Sequence, residues 1–345
     1  MALLLLGLLI SLALVEVGLR VRQRLKYGTT FSYYEFVVHE PSGLRIPAPG
    51  TDAGPLQVNS LGFRGPEIEL PKPPGRIRLA FLGGSTTFCA EASSRETTWP
   101  HLVVEALRAA HPEREFDYVN GGAGGFTADD SRRSLIHRVR PLEPDVLVVY
   151  HASNDLVVQA RRLAKAEGLW DDREAELSWL ADHWLTWNMI EKNLRSRAAQ
   201  STSGRRLEVD PAALAAPFRE DVAALLEECR ATAPVAAVAT FCQRARRGQT
   251  AEERRAACVS SLYYMPFMPV PAILDAFEEY NRVLRSSAAE QGAILIECEE
   301  AVPADGEHFN DSIHFLDPGC RLFAERVAAG IEAAPAFRAL LASRD

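Results

Sequence analysis

The chain has 345 residues, 47% of them hydrophobic and 24% charged, which is the balance of an ordinary globular protein. Its formal net charge is −8 and no basic stripe runs along it, so a nucleic-acid-binding surface is excluded and a strongly anionic substrate is disfavoured. The length allows a large core in one or two domains.

Residues 2–19 are nearly all apolar, with Glu16 as the one charge, a stretch just long enough to span a bilayer. Arg20, Arg22, Arg24 and Lys26 follow at once. A cleaved signal peptide would begin with Lys or Arg and end in a small-x-small site, and neither is evident. The expectation is a retained single-helix membrane anchor over residues 1–27, with a membrane protein complex as a partner to consider. The basic residues after the span favour a cytoplasmic main domain, whereas an envelope role favours an extracytoplasmic one, so topology stays open. Residues 28–76, rich in Gly and Pro, read as an irregular extension that wraps the main domain.

From residue 77 to about 335, short apolar runs alternate with helical patterns. The strands fall at 77–83, 116–120, 145–150, 235–241 and 292–297. Helices are expected at Trp99–Ala110, Phe218–Ala231, Ala272–Gln291 and from Asp317 towards Ala334, the last with Asp317 as N-cap and Pro318 at the first helical position. This order implies a three-layer α/β/α fold with a mainly parallel five-stranded, flavodoxin-like sheet. About 80 residues separate the third and fourth strands. The insertion at roughly 156–217 holds Trp170, Trp179, Trp184 and Trp187, read first as the core of a helical subdomain and second as a substrate, membrane or partner surface. The six cysteines match no zinc pattern. Cys242 and Cys258 are the first candidate disulfide pair, with six separate thiols as the alternative.

Four segments carry chemistry. Ser85 follows the first strand in Phe-Leu-Gly-Gly-Ser-Thr-Thr, where open α/β sheets place their ligands. Asn120-Gly121-Gly122-Ala123-Gly124-Gly125 ends the second strand and can bring a backbone N–H close to a ligand. Asn154, in Tyr-His-Ala-Ser-Asn-Asp at the end of the third strand, offers an amide to an oxyanion. Asp311-Ser312-Ile313-His314 supplies a carboxylate and an imidazole three residues apart. His151 reads as a structural histidine, and His308 as a loop residue.

Taken together, these blocks resemble the SGNH/GDSL hydrolase family, named for Ser, Gly, Asn and His. They match at Ser85, Gly122, Asn154 and His314 over roughly residues 77–333, apart from the insertion. Asn59-Ser60-Leu61-Gly62-Phe63-Arg64-Gly65 resembles a lead-in of membrane-anchored members. The chain departs from the pattern in two places: the aspartate of Gly-Asp-Ser is Gly84, and the glycine before x-Asn-Asp is Ala152. The block-two glycine is ambiguous among Gly121, Gly122 and Gly124, and the Asn-x-Gly alignment favours Gly122. The resemblance implies a serine esterase, lipase or carbohydrate O-deacetylase. In it Ser85 is the nucleophile, His314 the base and Asp311 its orienting acid; Ser85, Gly122 and Asn154 form the oxyanion hole. No metal or organic cofactor is required. The substrate is an acylated small molecule, lipid or carbohydrate. An O-acyltransferase and a non-catalytic accessory subunit of a membrane complex are the competing readings.

Overall fold

A computed structural model describes residues 1–27, 35–171, 176–199 and 206–343. The chain opens with helix α1 (Ala2–Tyr27), followed by two small antiparallel pairs, β1 (Phe36–His39) with β2 (Leu44–Pro47) and β3 (Asp52–Ala53) with β4 (Leu56–Gln57). The main sheet follows: β5 (Ile77–Gly83), β6 (Phe116–Asn120), β7 (Val146–Tyr150), β8 (Val235–Ala239) and β9 (Ile294–Ile296). All are parallel, in the order β6-β5-β7-β8-β9. Every residue of β5, β7 and β8 is buried, as continuous apolar runs require when helices cover both faces of a sheet.

The helices are α2 (Ser85–Phe88), α3 (Trp99–Ala110), α4 (Ala128–Ser134), α5 (Ser153–Ala166), α6 (Trp179–His183), α7 (Leu185–Ala199) and α8 (Pro211–Thr232). They continue as α9 (Ala251–Ala257), α10 (Val259–Tyr264), α11 (Val270–Gln291), α12 (Asp317–Ala333) and α13 (Pro335–Ala342). α3 packs on α12 against one face of the sheet, while α4, α5, α8 and α11 pack together on the other. Chain order reverses direction across the sheet at β5. A crevice therefore opens at the carboxyl ends of β5, β6 and β7, the general ligand position of open α/β sheets.

The N-terminal expectation needs correcting. Residues 2–19 do lie in a helix, but no helix of the described residues is long and apolar enough to cross a membrane. The anchor, its membrane partner and the membrane-bound localisation are not supported. The charge inside the apolar stretch is employed within the protein. Glu16 accepts hydrogen bonds from Leu185 N (2.9 Å), Thr186 N (2.8 Å) and Thr186 Oγ1 (2.7 Å), and so caps the start of α7. Arg20 pairs with Glu16 at 2.5 Å and also donates to His183 O. These bonds hold the Glu16 carboxyl down to about 2 despite the opposing effect of burial.

Two further expectations change. Trp170 alone of the four insertion tryptophans packs on the main core, edge-on to Phe267 at 5.6 Å. Trp179, Trp184 and Trp187 are 69%, 42% and 40% exposed, so they do not form a subdomain core. α6 and α7 bury few side chains, Ala181, Leu185 and Asn188 among them, too few to enclose three indoles. Residues 172–175 and 200–205 of the insertion lie outside the described residues. All six cysteines are free and buried. The Cys242–Cys258 pair does not form; Cys242 Sγ instead accepts from Arg246 at 3.4 Å, and Cys258 is packed in the core.

Candidate active site

Ser85 is the first residue of α2, a single turn that begins where β5 ends. The two glycines before it are needed for close packing. A Cβ on Gly83 would lie 2.0 Å from Thr87 Oγ1, and one on Gly84 would lie 2.5 Å from Asn154 Nδ2 and 3.2 Å from Phe126 O. This explains the missing aspartate: position 84 has no room for a side chain, because the Asn154 amide occupies that space. The turn is fixed from below by Trp99, whose Nε1 donates to Thr86 O at 3.0 Å. Trp99 itself sits edge-on to Phe81, Tyr150 and Phe323.

Asp311 and His314 lie on the loop just before α12. Asp311 Oδ1 accepts the backbone N–H groups of Ile313 and His314 (2.9 Å each), an Asx-type turn that presents the histidine. Asp311 Oδ2 and His314 Nδ1 are 2.8 Å apart, and His314 Nε2 and Ser85 Oγ are also 2.8 Å apart. The three residues, separated by 229 positions between Ser85 and His314, thus form one continuous line of hydrogen bonds. Burial opposes charge on both partners, yet the contact with His314 and the two N–H groups hold Asp311 down to about 2. His314 is pushed down by burial, but the negative charges of Glu91 and Asp311 outweigh it and lift the imidazole to about 9.

Asn154 stands in the first turn of α5, and its Nδ2 donates to Phe126 O at 2.9 Å, leaving the second amide hydrogen free of that bond. Gly122 does not fit the donor role assigned to it. Its N–H is spent on Asn120 Oδ1 at 3.0 Å, and its Cα packs on α2, where a Cβ would lie 2.6 Å from Phe88 N. Gly121 N–H is likewise taken, by Phe81 O at 2.8 Å. Gly125 has φ +85°, is exposed, and precedes Phe126, whose carbonyl holds Asn154. Neither its N–H nor that of Ser85 donates to the backbone among the described residues. A small cavity of about 10 Å³ lies between Gly84, Ser85, Ala152, Ser153 and Asn154, enough for one oxygen-sized atom.

The neighbouring polar residues have structural employment. His151 is buried and its Nε2 meets Ser131 Oγ at 2.7 Å; burial pushes it down to about 3. Asp155 accepts Ala128 N–H at 2.8 Å and so anchors the start of α4; burial lifts its carboxyl to about 7. His308 is a loop residue 2.8 Å from Asp305.

Two important residues carry no sequence motif of their own. Arg64, 1% exposed, donates to Phe88 O (2.8 Å), Cys89 O and Pro55 O (3.0 Å), and so ties the 35–76 segment to the carboxyl end of α2. Only its place in the Asn-Ser-Leu-Gly-Phe-Arg-Gly run hinted at a role. Glu91 acts electrostatically on His314, and nothing in its sequence context marks it. Behind the glycine loop, Leu44 and Ile46 of β2 pack on Ala123 and Phe126.

A family model described as the GDSL-like lipase/acylhydrolase family matches residues 81–322, well over half of the chain. No curated protein sequence matches it. Among solved structures, an acetylxylan esterase from Geobacillus stearothermophilus is similar, with 16% identity and a TM-score of 0.46, over 74% of this chain and 93% of that one. A lipase/acylhydrolase from Enterococcus faecalis matches at 16% identity and TM-score 0.44, over 74% and 95%. The chain belongs to the GDSL-like lipase/acylhydrolase family and is an SGNH-type serine hydrolase that acts on ester bonds.

Proposed function

We propose that Ser85, His314 and Asp311 form the catalytic triad of this ester hydrolase. The observation that carries the reading is the pair of 2.8 Å contacts that joins Ser85 Oγ to His314 and His314 to Asp311. His314 Nε2 takes the Ser85 proton as Oγ attacks the ester carbonyl carbon. Asp311 keeps the ring oriented and stabilises the imidazolium that results. The carbonyl oxygen gains negative charge and is met by Ser85 N–H, the Asn154 amide and one glycine N–H. We assign that last role to Gly125 in place of Gly122, because Gly122 N–H already serves Asn120. The imidazolium returns its proton to the leaving alcohol. Water, activated by the same histidine, then attacks the acyl-serine and frees the acid.

The substrate is an acylated carbohydrate, lipid or small molecule. Labelling with a fluorophosphonate probe tests the assignment. Wild type should label and Ser85→Ala should not, with the circular dichroism of the two unchanged. Equal labelling of the variant would remove Ser85 from the mechanism.

A further inference from the structure

Among the described residues, every hydrogen bond of the Asp311 carboxylate stays inside its own loop, on Ile313 N–H, His314 N–H and His314 Nδ1. The base of the loop is closed as well. Asn310 N–H donates to His314 O (2.8 Å) and Leu316 N–H to His308 O (2.9 Å). Phe309 and Phe315 form an antiparallel bridge, their rings edge-on at 5.1 Å. The Asp311–His314 pair therefore moves as one body with the loop. Apart from the contact with Ser85 itself, these bonds leave its place in the molecule unset, and a misplacement of about 1 Å can cost a hundredfold in rate.

Ser312, between the two residues, supplies the outside hold. It is 3% exposed, and its three polar groups all bond to other segments. Its Oγ accepts Ser260 N–H (3.1 Å) and Ser261 N–H (3.3 Å), and its own N–H donates to Ser260 Oγ (3.2 Å). Its carbonyl accepts Arg244 N–H at 2.9 Å, from the segment that leaves β8. Ser260 and Ser261 stand in the first turn of α10, whose N-cap residue, Cys258, gives no side-chain bond. A helix start leaves N–H groups without intrahelical partners. Here the acceptor that a local Ser or Asp would provide comes from a residue 52 positions away. α10 is a firm platform, since Cys258 and Leu262 are buried in the main core and the helix also packs on α7. Beyond His314, Asp317 accepts Ser93 N–H at 2.9 Å, but Ser93 is exposed, so the sheltered Ser312 bonds are the stronger tie. A residue that only had to span Asp311 and His314 would need neither a hydroxyl nor burial.

Accepting the triad assignment above, we infer that Ser312 is a positioning residue of the reaction. It docks the Asp311–His314 loop on the uncapped start of α10 and so sets the distance from His314 Nε2 to Ser85 Oγ. α10 thereby belongs to the device that holds the base.

The test measures kcat and KM for p-nitrophenyl acetate on the full chain, per active site counted by fluorophosphonate titration run to completion. Two variants approach the clamp from opposite sides. Ser312→Ala removes the acceptor of the two N–H groups; Ser260→Ala removes the acceptor of Ser312 N–H without altering the loop. Each should lower kcat per titrated site by about tenfold to a hundredfold at nearly unchanged KM. The double variant should be little worse than Ser312→Ala alone, as for two halves of one contact. A purely structural role would reduce the number of titratable sites and leave kcat per site at the wild-type value. That outcome, or fully multiplicative losses in the double variant, overturns the inference. Should Ser312→Ala fail to fold, Ser260→Ala decides alone. Ser85→Ala is run in parallel. If it still hydrolyses the ester, the triad assignment is at fault; if it is inert while both clamp variants keep the wild-type kcat, only the positioning role fails.

Discussion

At the residue scale, His314, the proposed base, sets the working pH. It must be neutral to take the proton of Ser85, and its surroundings lift it to about 9. kcat/KM for a small ester should therefore climb with pH and level off above about 9; a profile that levels off near 6.5, the ordinary histidine value, would contradict this. The same shifts have a sign for stability. His314 is raised, so its contribution is complete below pH 6.5 and is lost as pH rises through about 9. Asp311 is depressed, so its contribution is complete above pH 3.8 and is lost as pH falls through about 2. With Asn154 in its proposed oxyanion role, its replacement by Ala should lower kcat by about 10²–10³ with little change in folding, the usual cost of one such donor. The proposed Ser85, Asn154, Asp311 and His314 were legible in the sequence because each residue type sits in a short motif at a strand end or before a helix. The glycine we propose as donor was not. Asn-x-Gly singles out Gly122, and only the bond from its N–H to Asn120 shows that this donor is already used. Glu91 was invisible because its bearing on His314 comes from the fold and not from its neighbours in sequence.

At the element scale, the five strands were readable because a parallel sheet covered on both faces needs apolar runs, and Val146–Tyr150 is an unbroken one. The tryptophan insertion was not readable. Aromatic composition says that surface area must be covered, but not that three of four indoles remain exposed. The main dependence between elements is the hold of the 35–76 segment on α2. Arg64 carries it, and its side chain is aliphatic up to a guanidinium that meets three carbonyl oxygens. Arg64→Met keeps the volume but leaves those buried carbonyls without donors. It should cost about 3 kcal/mol in urea unfolding. It should also lower esterase activity, since the freed turn carries Ser85. A variant as stable as wild type would show that the segment rests on α2 without securing it.

At the scale of the whole molecule, all six cysteines are separate and buried, so no disulfide holds the fold together. The native protein should resist alkylation by iodoacetamide, should take up six equivalents once unfolded without reductant, and should melt at the same temperature with or without dithiothreitol. Fewer than six equivalents would reveal a disulfide. The apolar run at 2–19 was misjudged because its apolar residues were weighed without Glu16, whose role depends on a partner that the local sequence does not contain. That partner, Leu185, is 169 positions away, and this distance bears on the order of events during folding. A contact that closes so long a loop forms late, after the intervening strands and helices have taken their places. α1 is made first and settled last. Much of its apolar surface stays exposed even after Glu16 is received, Leu4 at 80% and Leu14 at 68%, so the yield of monomer on rapid refolding should fall with protein concentration.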